Sequence, residues 1–323
     1  MNILVTGANG FVGSHLVRHL LTLGHRVHVL CLPGTSLAPL AGLDIAHHLG
    51  DVTDGESVAR AVRGQDALFH VAANLSHRRR DVASARVVNV GGTENVLAAA
   101  RAAGLKRVVV TSSVGAVGGD PTGREADETF AYAWPAELPY FATKRDAEAV
   151  CRRAAAEGLE VVMVNPSVVM GPEDGRQRLG PIIWLARRGL FKVALPGLAN
   201  VVDVRDVAAG HWLAFAHGKS GERYILAGEN LRISDLIGRI AAELGRRPPR
   251  HTLPTGALTA AARIVRGLER VVPLPEFAVN MKNLPNGGYY SSERARRELG
   301  FRTRQTAETI RDTVAWYVSQ GLA

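Results

Sequence analysis

The chain opens Met1-Asn2-Ile3-Leu4-Val5-Thr6-Gly7-Ala8-Asn9-Gly10-Phe11-Val12-Gly13, an apolar run followed by three spaced glycines. Ile3, Leu4 and Val5 make a short apolar run suited to a buried strand. Phe11 to Leu23 then has the periodicity of an amphipathic helix. Where such a strand turns into such a helix, the first glycine permits the tight turn. The second lets backbone approach a pyrophosphate, and the third lets helix and strand pack closely. The helix start adds unpaired N–H groups and a positive dipole end. Glycines by themselves also serve ordinary turns. The flanking strand and helix make a dinucleotide-binding turn the expectation, lined by Gly7, Asn9, Gly10, Phe11, Val12 and Gly13.

Strand and helix alternate outward from this turn. Strands are expected at Arg26 to Leu30, Ile45 to Leu49, Ala67 to Val71, Arg107 to Thr111 and Val161 to Asn165. Helices are expected at Ser57 to Arg63, Asn89 to Ala103 and about Thr143 to Glu157. The strands are continuous apolar runs rather than alternating ones, which implies an α/β fold: a parallel sheet with helices on both faces. After Asn165, glycine, proline and arginine punctuate the chain, and shorter elements follow. Helices are expected at Asp206 to Ala216, Leu231 to Leu244 with Ser234 as its cap, Ala257 to Leu268 and Thr306 to Ser319. Val271 to Pro285 is less regular. The expected division is a dinucleotide-binding core over 1–165 and about 198–226. A smaller substrate-binding part covers about 166–197 and 227–305, and a terminal helix covers about 306–323.

With 323 residues the chain can bury a large core. Its 39 basic and 30 acidic residues leave a net charge of +9, which favours anionic partners without naming one. Arg78-Arg79-Arg80 and the Arg294–Arg297 cluster read as solvated faces, since no aromatic residues interleave them, and a nucleic-acid partner is not expected. Cys31 and Cys151 lack metal-ligand spacing, so no metal is expected. No apolar run approaches a membrane span, and the amino terminus lacks the pattern of a signal peptide. A cytoplasmic protein is the expectation.

The chemistry gathers around Tyr140 and Lys144, four apart at a helix start and so able to share a face. Ser112 and Ser113 follow an apolar strand, at the edge where parallel sheets hold ligands. A tyrosine hydroxyl there can give a proton to a carbonyl oxygen as hydride arrives, or remove it from an alcohol. A free phenol titrates at about 10, and a neighbouring ammonium favours its ionised form. Alone, the pair equally describes a helix-start aromatic and a solvated lysine. The glycine turn and the serines favour the chemical reading.

These segments together resemble the extended short-chain dehydrogenase/reductase superfamily over nearly the whole chain. The similar stretches are Thr6 to Gly13, Gly50-Asp51-Val52, His70-Val71-Ala72-Ala73, Asn89-Val90-Gly91-Gly92-Thr93, Thr111-Ser112-Ser113, Tyr140 to Lys144 and Asn165-Pro166-Ser167. Late segments, Gly221 to Leu226 and Tyr290-Ser291-Ser292, are similar to dihydroflavonol-reductase-like proteins and hopanoid-associated sugar epimerases. The resemblance implies a Rossmann-like doubly wound sheet, with Ser113 orienting substrate, Tyr140 as acid/base and Lys144 also bonding the nicotinamide ribose. It implies cofactor contacts from Asp51, Val52, Ala72, Ala73, Thr111, Pro166 and Ser167, and support from Asn89, which could equally be a helix cap. For Asp51 the alternative is a turn-capping carboxylate.

An acid at the end of the second strand commonly binds the NAD ribose, and an arginine the extra phosphate of NADP. Leu32 stands at the matching position, so NADP or NAD remains open, with a slight lean to NADP from the positive charge. Ser36 could add a hydroxyl. The resemblance implies a carbonyl or alcohol substrate. Sugar dehydratases carry a threonine-aspartate-glutamate group that this chain lacks, and sugar epimerases often follow the serine with alanine-threonine, where Val114-Gly115 stands. A carbonyl reductase or alcohol dehydrogenase is therefore expected, with nucleotide-sugar epimerase and dinucleotide-sensing regulator as alternatives. Pocket candidates are Phe130, Tyr132, Trp134, Phe141, Met170, Ile182, Ile183, Trp184 and Phe191, each equally able to be core. Arg176, Arg178, Arg187 and Arg188 could meet a diphosphate or be surface charge, and His77 to Arg80 could fringe the mouth. The helices at Asn89–Ala103 and Thr143–Glu157 offer a face for a homodimer.

Overall fold

A computed structural model describes residues 1–132, 134, 138–175, 177, 179–269, 272, 279 and 287–322. In chain order, β1 (Asn2–Thr6), α1 (Phe11–Thr22), β2 (Arg26–Cys31), β3 (Ile45–Leu49), α2 (Gly55–Val62) and β4 (Ala67–His70) come first. There follow α3 (Val82–Arg86), α4 (Gly92–Ala102), β5 (Arg107–Thr111), β6 (Glu125–Ala126), α5 (Pro139–Ala156) and β7 (Glu160–Pro166). The second half brings β8 (Val168–Met170), α6 (Gly180–Arg187), β9 (Val193–Ala194), β10 (Leu198–Asp203), α7 (Val204–His217), β11 (Arg223–Leu226) and β12 (Glu229–Arg232). Then come α8 (Ile233–Glu243), β13 (His251–Thr252), α9 (Thr255–Leu268), β14 (Tyr289–Tyr290) and helices at Glu293–Leu299 and Thr306–Ser319.

A seven-stranded sheet in the order β11-β7-β5-β4-β1-β2-β3 forms the centre. Its neighbours pair in parallel throughout. The order reverses direction beside β1, and the crevice at the carboxyl ends of β1 and β4 is where open α/β sheets take ligands. Alternate strand residues fill two cores. Ile3, Val5, Val29, Phe69 and Val109 pack with Leu16, Leu20 and Val207 on one face. Leu4, Leu30, Leu68 and Val110 pack with Val58, Val96, Leu97 and Val150 on the other. Both faces are covered, so both parities must be apolar, which explains the continuous rather than alternating runs.

The second half builds a third core. Met170, Ile183, Val201, Leu231, Leu236 and Ile240 pack with Ile310, Val314 and Tyr317 of the terminal helix. β10 pairs with β8 and β12 in a separate three-stranded sheet, while β11 joins the main sheet, so the 198–226 stretch is shared between the two.

Most helix starts shift by two to four residues, α5 beginning at Pro139 where about Thr143 was expected, and two starts differ in kind. The helix expected from Asn89 begins at Val82 and runs on to Ala102 through a π-helical turn at Val87–Gly91, which places Asn89 inside a helix instead of at its cap. Helix α8 is capped at Arg232, and Ser234 lies within it, bonding Asp235.

Candidate active site

The glycine turn is built by close approach. Gly7 has φ +66°, and a Cβ there would lie 2.6 Å from both N and Cα of Ala72, just beyond β4. A Cβ on Gly13 would stand 2.2 Å from the Gly7 carbonyl oxygen. Any larger residue would push α1 off the sheet. Helix α1 follows Gly10, which offers no side chain to cap it, and has no acid in its first turn. Its opening N–H groups are thus the kind of cradle that a pyrophosphate fits.

A relay of small polar side chains ties this turn to the neighbouring loop. The Ala72 N–H donates to Thr6 Oγ1 at 3.3 Å, and Thr6 Oγ1 meets His70 Nδ1 at 2.8 Å. His70 Nε2 lies 3.2 Å from Thr93 Oγ1, which itself donates to the Asn89 carbonyl at 2.7 Å. Because Thr93 spends its proton on Asn89, His70 donates through Nε2 and accepts from Thr6 through Nδ1. Burial pushes His70 down to about 3, with a further push from the Lys144 charge, so the ring is a neutral crosslink.

The Asn89 side chain links two parts of the site. Its Oδ1 accepts from Asn74 N at 2.7 Å, and its Nδ2 donates to the Asn74 carbonyl at 2.9 Å and to Thr143 Oγ1 at 3.0 Å. Thr143 Oγ1 in turn donates to the Tyr140 carbonyl at 2.8 Å. The extra residue of the π turn re-aims this amide toward α5, a common use of such turns at functional sites.

Tyr140 lies in the first turn of α5, after the proline that opens it, and is buried. Lys144, one turn on, is also buried, and its Nζ donates to the Thr111 carbonyl at 2.8 Å. Desolvation brings the Lys144 ammonium down to about 8. The Thr111 hydroxyl donates to His211 Nε2 at 2.8 Å, because His211 Nδ1 donates to the Val207 carbonyl. The two serines part company here. Ser112 is buried and its hydroxyl donates to Glu148 Oε1 at 2.7 Å. Ser113 Oγ accepts from Gly115 N at 3.1 Å, so its own proton is not spent in that bond. Lys144 thereby reaches the carboxyl end of β5, which Ser113 follows, and Phe141, next to Tyr140, lies against Gly115.

Aromatic rings crowd the same place. His77 lies 4.9 Å from the Tyr140 ring and 5.7 Å from Phe141, and Trp134 lies 5.5 Å from Phe141. Phe141 has room because residue 115 is glycine: a Cβ there would meet Phe141 Cδ1 at 2.4 Å. Of the other pocket candidates, Met170, Ile182, Ile183 and Phe191 belong to the third core, and Trp184 is exposed beneath the Arg188 guanidinium. Phe130 packs with Val117 and Tyr290, and Tyr132 stacks under Arg145. Arg176 and Arg178 lie outside the described residues.

The remaining cofactor candidates rim the crevice. Asp51 Oδ1 accepts from Thr53 N, a turn contact, while buried Val52 packs on Gly92. Leu32 is 49% exposed beyond β2, in a loop that Asn9 tethers through Thr35 Oγ1 and the Ser36 carbonyl. Ala72 and Ala73 are half-buried. Pro166 is buried, and the Ser167 hydroxyl is committed to Asn200 at 2.6 Å. Sequence reasoning missed Glu148 and Thr143, although Glu148 stands one helical turn beyond Lys144 on the same face, a spacing that could have found it. Among the described residues no His, Cys, Asp and Glu gather as a metal site, and no helix is long and apolar enough to cross a membrane.

Comparison with known proteins bears on this arrangement. The model of the NAD dependent epimerase/dehydratase family matches residues 3–227. A Synechocystis protein named as a dihydroflavonol 4-reductase is 37% identical, over 98% of this chain and 94% of its own. Sterol demethylase protein B of Methylococcus capsulatus is 36% identical over 100% of both chains. The solved structure of DesIV, a dTDP-glucose 4,6-dehydratase of Streptomyces venezuelae with NAD and TYD bound, is 26% identical with a TM-score of 0.79, covering 100% of both chains.

Proposed function

Because the chain belongs to the NAD-dependent epimerase/dehydratase family, among the extended short-chain dehydrogenases/reductases, and is an NAD(P)-dependent oxidoreductase, we propose that it interconverts a ketone or aldehyde and its alcohol on a flat, apolar small molecule. The observation that carries this reading is that Lys144 reaches the Thr111 carbonyl, two residues before Ser113, while Tyr140 on the same helix packs on His77 and Phe141, and Phe141 on Trp134. An aromatic lining with few polar groups suits an apolar ring system better than a sugar diphosphate. The relatives named for a dihydroflavonol and a sterol support the same substrate class.

In this reading Gly7, Asn9, Gly10, Phe11, Val12 and Gly13 hold the dinucleotide pyrophosphate, and Asp51 and Val52 flank the adenine. Ala72, Ala73, Asn89 and Thr111 line the middle of the groove, with Pro166 and Ser167 at the nicotinamide. The bound nicotinamide supplies or accepts the hydride. The Ser113 hydroxyl donates to the substrate oxygen and fixes its position. The Tyr140 hydroxyl gives its proton to that oxygen as the carbonyl is reduced, and takes it back in the alcohol direction. The Lys144 ammonium stabilises the phenolate left behind, and would also hold the ribose of a bound dinucleotide. NADP is accepted at least as well as NAD, since Leu32 puts no carboxylate against the extra phosphate. The second half contributes the substrate side, and the face of α4 and α5, crossed by the Arg101–Glu157 and Arg153–Glu94 ion pairs, is the face for a symmetric dimer.

The test follows NADPH and NADH absorbance with a panel of aryl and alicyclic ketones, aldehydes and nucleotide sugars, with isomer analysis of the products. Net oxidation of a cofactor by an apolar ketone is expected. Conversion of a nucleotide sugar to its epimer, with no net cofactor change, would replace this reading with an epimerase.

A further inference from the structure

The carboxylate of Glu148 is 1% exposed, and the acid/base chemistry described above does not use it. A buried carboxylate is costly unless its oxygens are filled. Here each oxygen accepts twice. Oε1 takes Ser112 Oγ at 2.7 Å and Asn165 Nδ2 at 2.6 Å. Oε2 takes Arg152 at 2.7 Å and Arg223 at 3.1 Å. The donors come from different elements: Ser112 follows β5, Asn165 is in β7, and Arg223 reaches in from β11 at the edge of the sheet. Asn165 Nδ2 also donates to the Ser113 carbonyl at 2.8 Å. Arg223 carries on to the carbonyls of Ala116 and Glu128. Glu148 is thus the knot where α5, the Ser112–Ser113 segment and the sheet edge are tied together.

We propose that Glu148 is a positioning residue for the reaction, clamping the helix that carries Tyr140 and Lys144 to the strand end that carries Ser113, with Arg223 as its counter-charge. The proposal rests on the roles proposed above for those three residues. Glu148 sits on the face of α5 that holds Lys144 and Tyr140, one and two turns back. It captures the Ser112 hydroxyl, which leaves Ser113 as the serine able to meet substrate. It also sets a negative charge near the Lys144 ammonium, one that favours the charged amine. Lys144 is faced by Glu148 and Cys151 along its own helix and by His70 from β4. Glu148 is faced by Arg152 and Arg223. Burial holds the Cys151 thiol up at about 12 and the His70 ring down at about 3. Cys151 and His70 therefore keep one charge state between pH 6 and 10, and reading the inflection in Tyr140→Phe removes the phenol as a second source of it.

The test needs no substrate. NADH affinity, read by fluorescence between pH 6 and 10, should weaken as the Lys144 ammonium is lost. Glu148→Gln removes a negative charge near that ammonium and should move the inflection down by about half a pH unit. Arg223→Met removes a positive charge and should move it up by a similar amount, and Arg223→Lys should restore it. With a ketone that the unaltered protein reduces, Glu148→Gln should lose about tenfold or more in kcat with KM changed less than about threefold, because the reacting groups are misplaced rather than the pocket closed. A purely structural residue would lower Tm and leave the inflection where it is. An unmoved inflection, or shifts of the same sign in Glu148→Gln and Arg223→Met, would overturn the proposal while leaving the cofactor reading intact. Absence of NADH binding at every pH would overturn both.

Discussion

Gly115→Ala is the smallest change that probes the aromatic lining. The new methyl carbon would sit 2.4 Å from Phe141 Cδ1, 2.9 Å from Cε1 and 3.2 Å from Cγ. Carbon atoms rest at about 3.5–4.0 Å, so the ring must retreat by about 1 Å. It has little room to do so: Trp134, His77 and Tyr140 stand 5.5, 5.7 and 5.8 Å from its centroid. Overpacking of this kind costs about 1–3 kcal/mol, which in a domain of this size lowers Tm by roughly 1.5–4.5 °C. The catalytic consequence is larger, because Phe141 is bonded to Tyr140 and a shift of about 1 Å in a reacting group costs up to about a hundredfold. Scanning calorimetry gives the first number, and kcat/KM for an apolar ketone gives the second. Cofactor affinity should change little. The double variant Gly115→Ala/Phe141→Leu, which makes space for the methyl, should recover most of the lost Tm. A Gly115→Ala protein with unchanged Tm and kcat/KM would refute the claim that this glycine shapes the wall beside Tyr140.

Other outcomes follow from the same contacts. His70 and His211 are held neutral by burial, down to about 3 and about 4. The unfolded chain takes up those protons at about 6.5. Their depressed folded values mean that stability is fully present above that pH and is lost as pH falls toward 4, by up to about 2.7 kcal/mol per unit for two protons. Urea midpoints at pH 7, 6, 5 and 4 should show the fall, and His211→Asn should shallow it; a flat profile would contradict the assignment. Leu32→Arg should tighten NADPH relative to NADH by about tenfold, and Leu32→Glu should do the reverse. Titration of both cofactors checks this, and an unchanged ratio in both variants would move the ribose site away from this loop.

The parts of the molecule that were legible in the sequence are those set by local rules. The Thr6–Gly13 turn is a backbone requirement, and only residues without a Cβ meet it, so it announces itself. Continuous apolar runs told of a sheet covered on both faces, which the seven-stranded core confirms. The family, the Rossmann-like fold and the oxidoreductase class were readable for the same reason. What stayed hidden depends on direction in space. Ser112 and Ser113 are chemically identical neighbours. The extended backbone beyond β5 turns one toward Glu148 and leaves the other on the Gly115 amide, and the sequence does not say which. Asn89 read as a helix start because nothing local signals a π turn inside a longer helix. Met170, Ile182, Ile183 and Phe191 have the composition of a pocket lining. They were claimed by a core whose other half comes from Ile310, Val314 and Tyr317, far along the chain.

The most direct test of the account is Tyr140→Phe, which removes one hydroxyl and keeps the ring against His77 and Phe141. NADPH and NADH affinity and ketone-dependent cofactor oxidation would be measured side by side. Cofactor affinity should stay within a few-fold of the unaltered protein, while turnover falls by about 10²–10⁴-fold, the usual worth of a positioned acid/base. Unimpaired ketone reduction by Tyr140→Phe would contradict it.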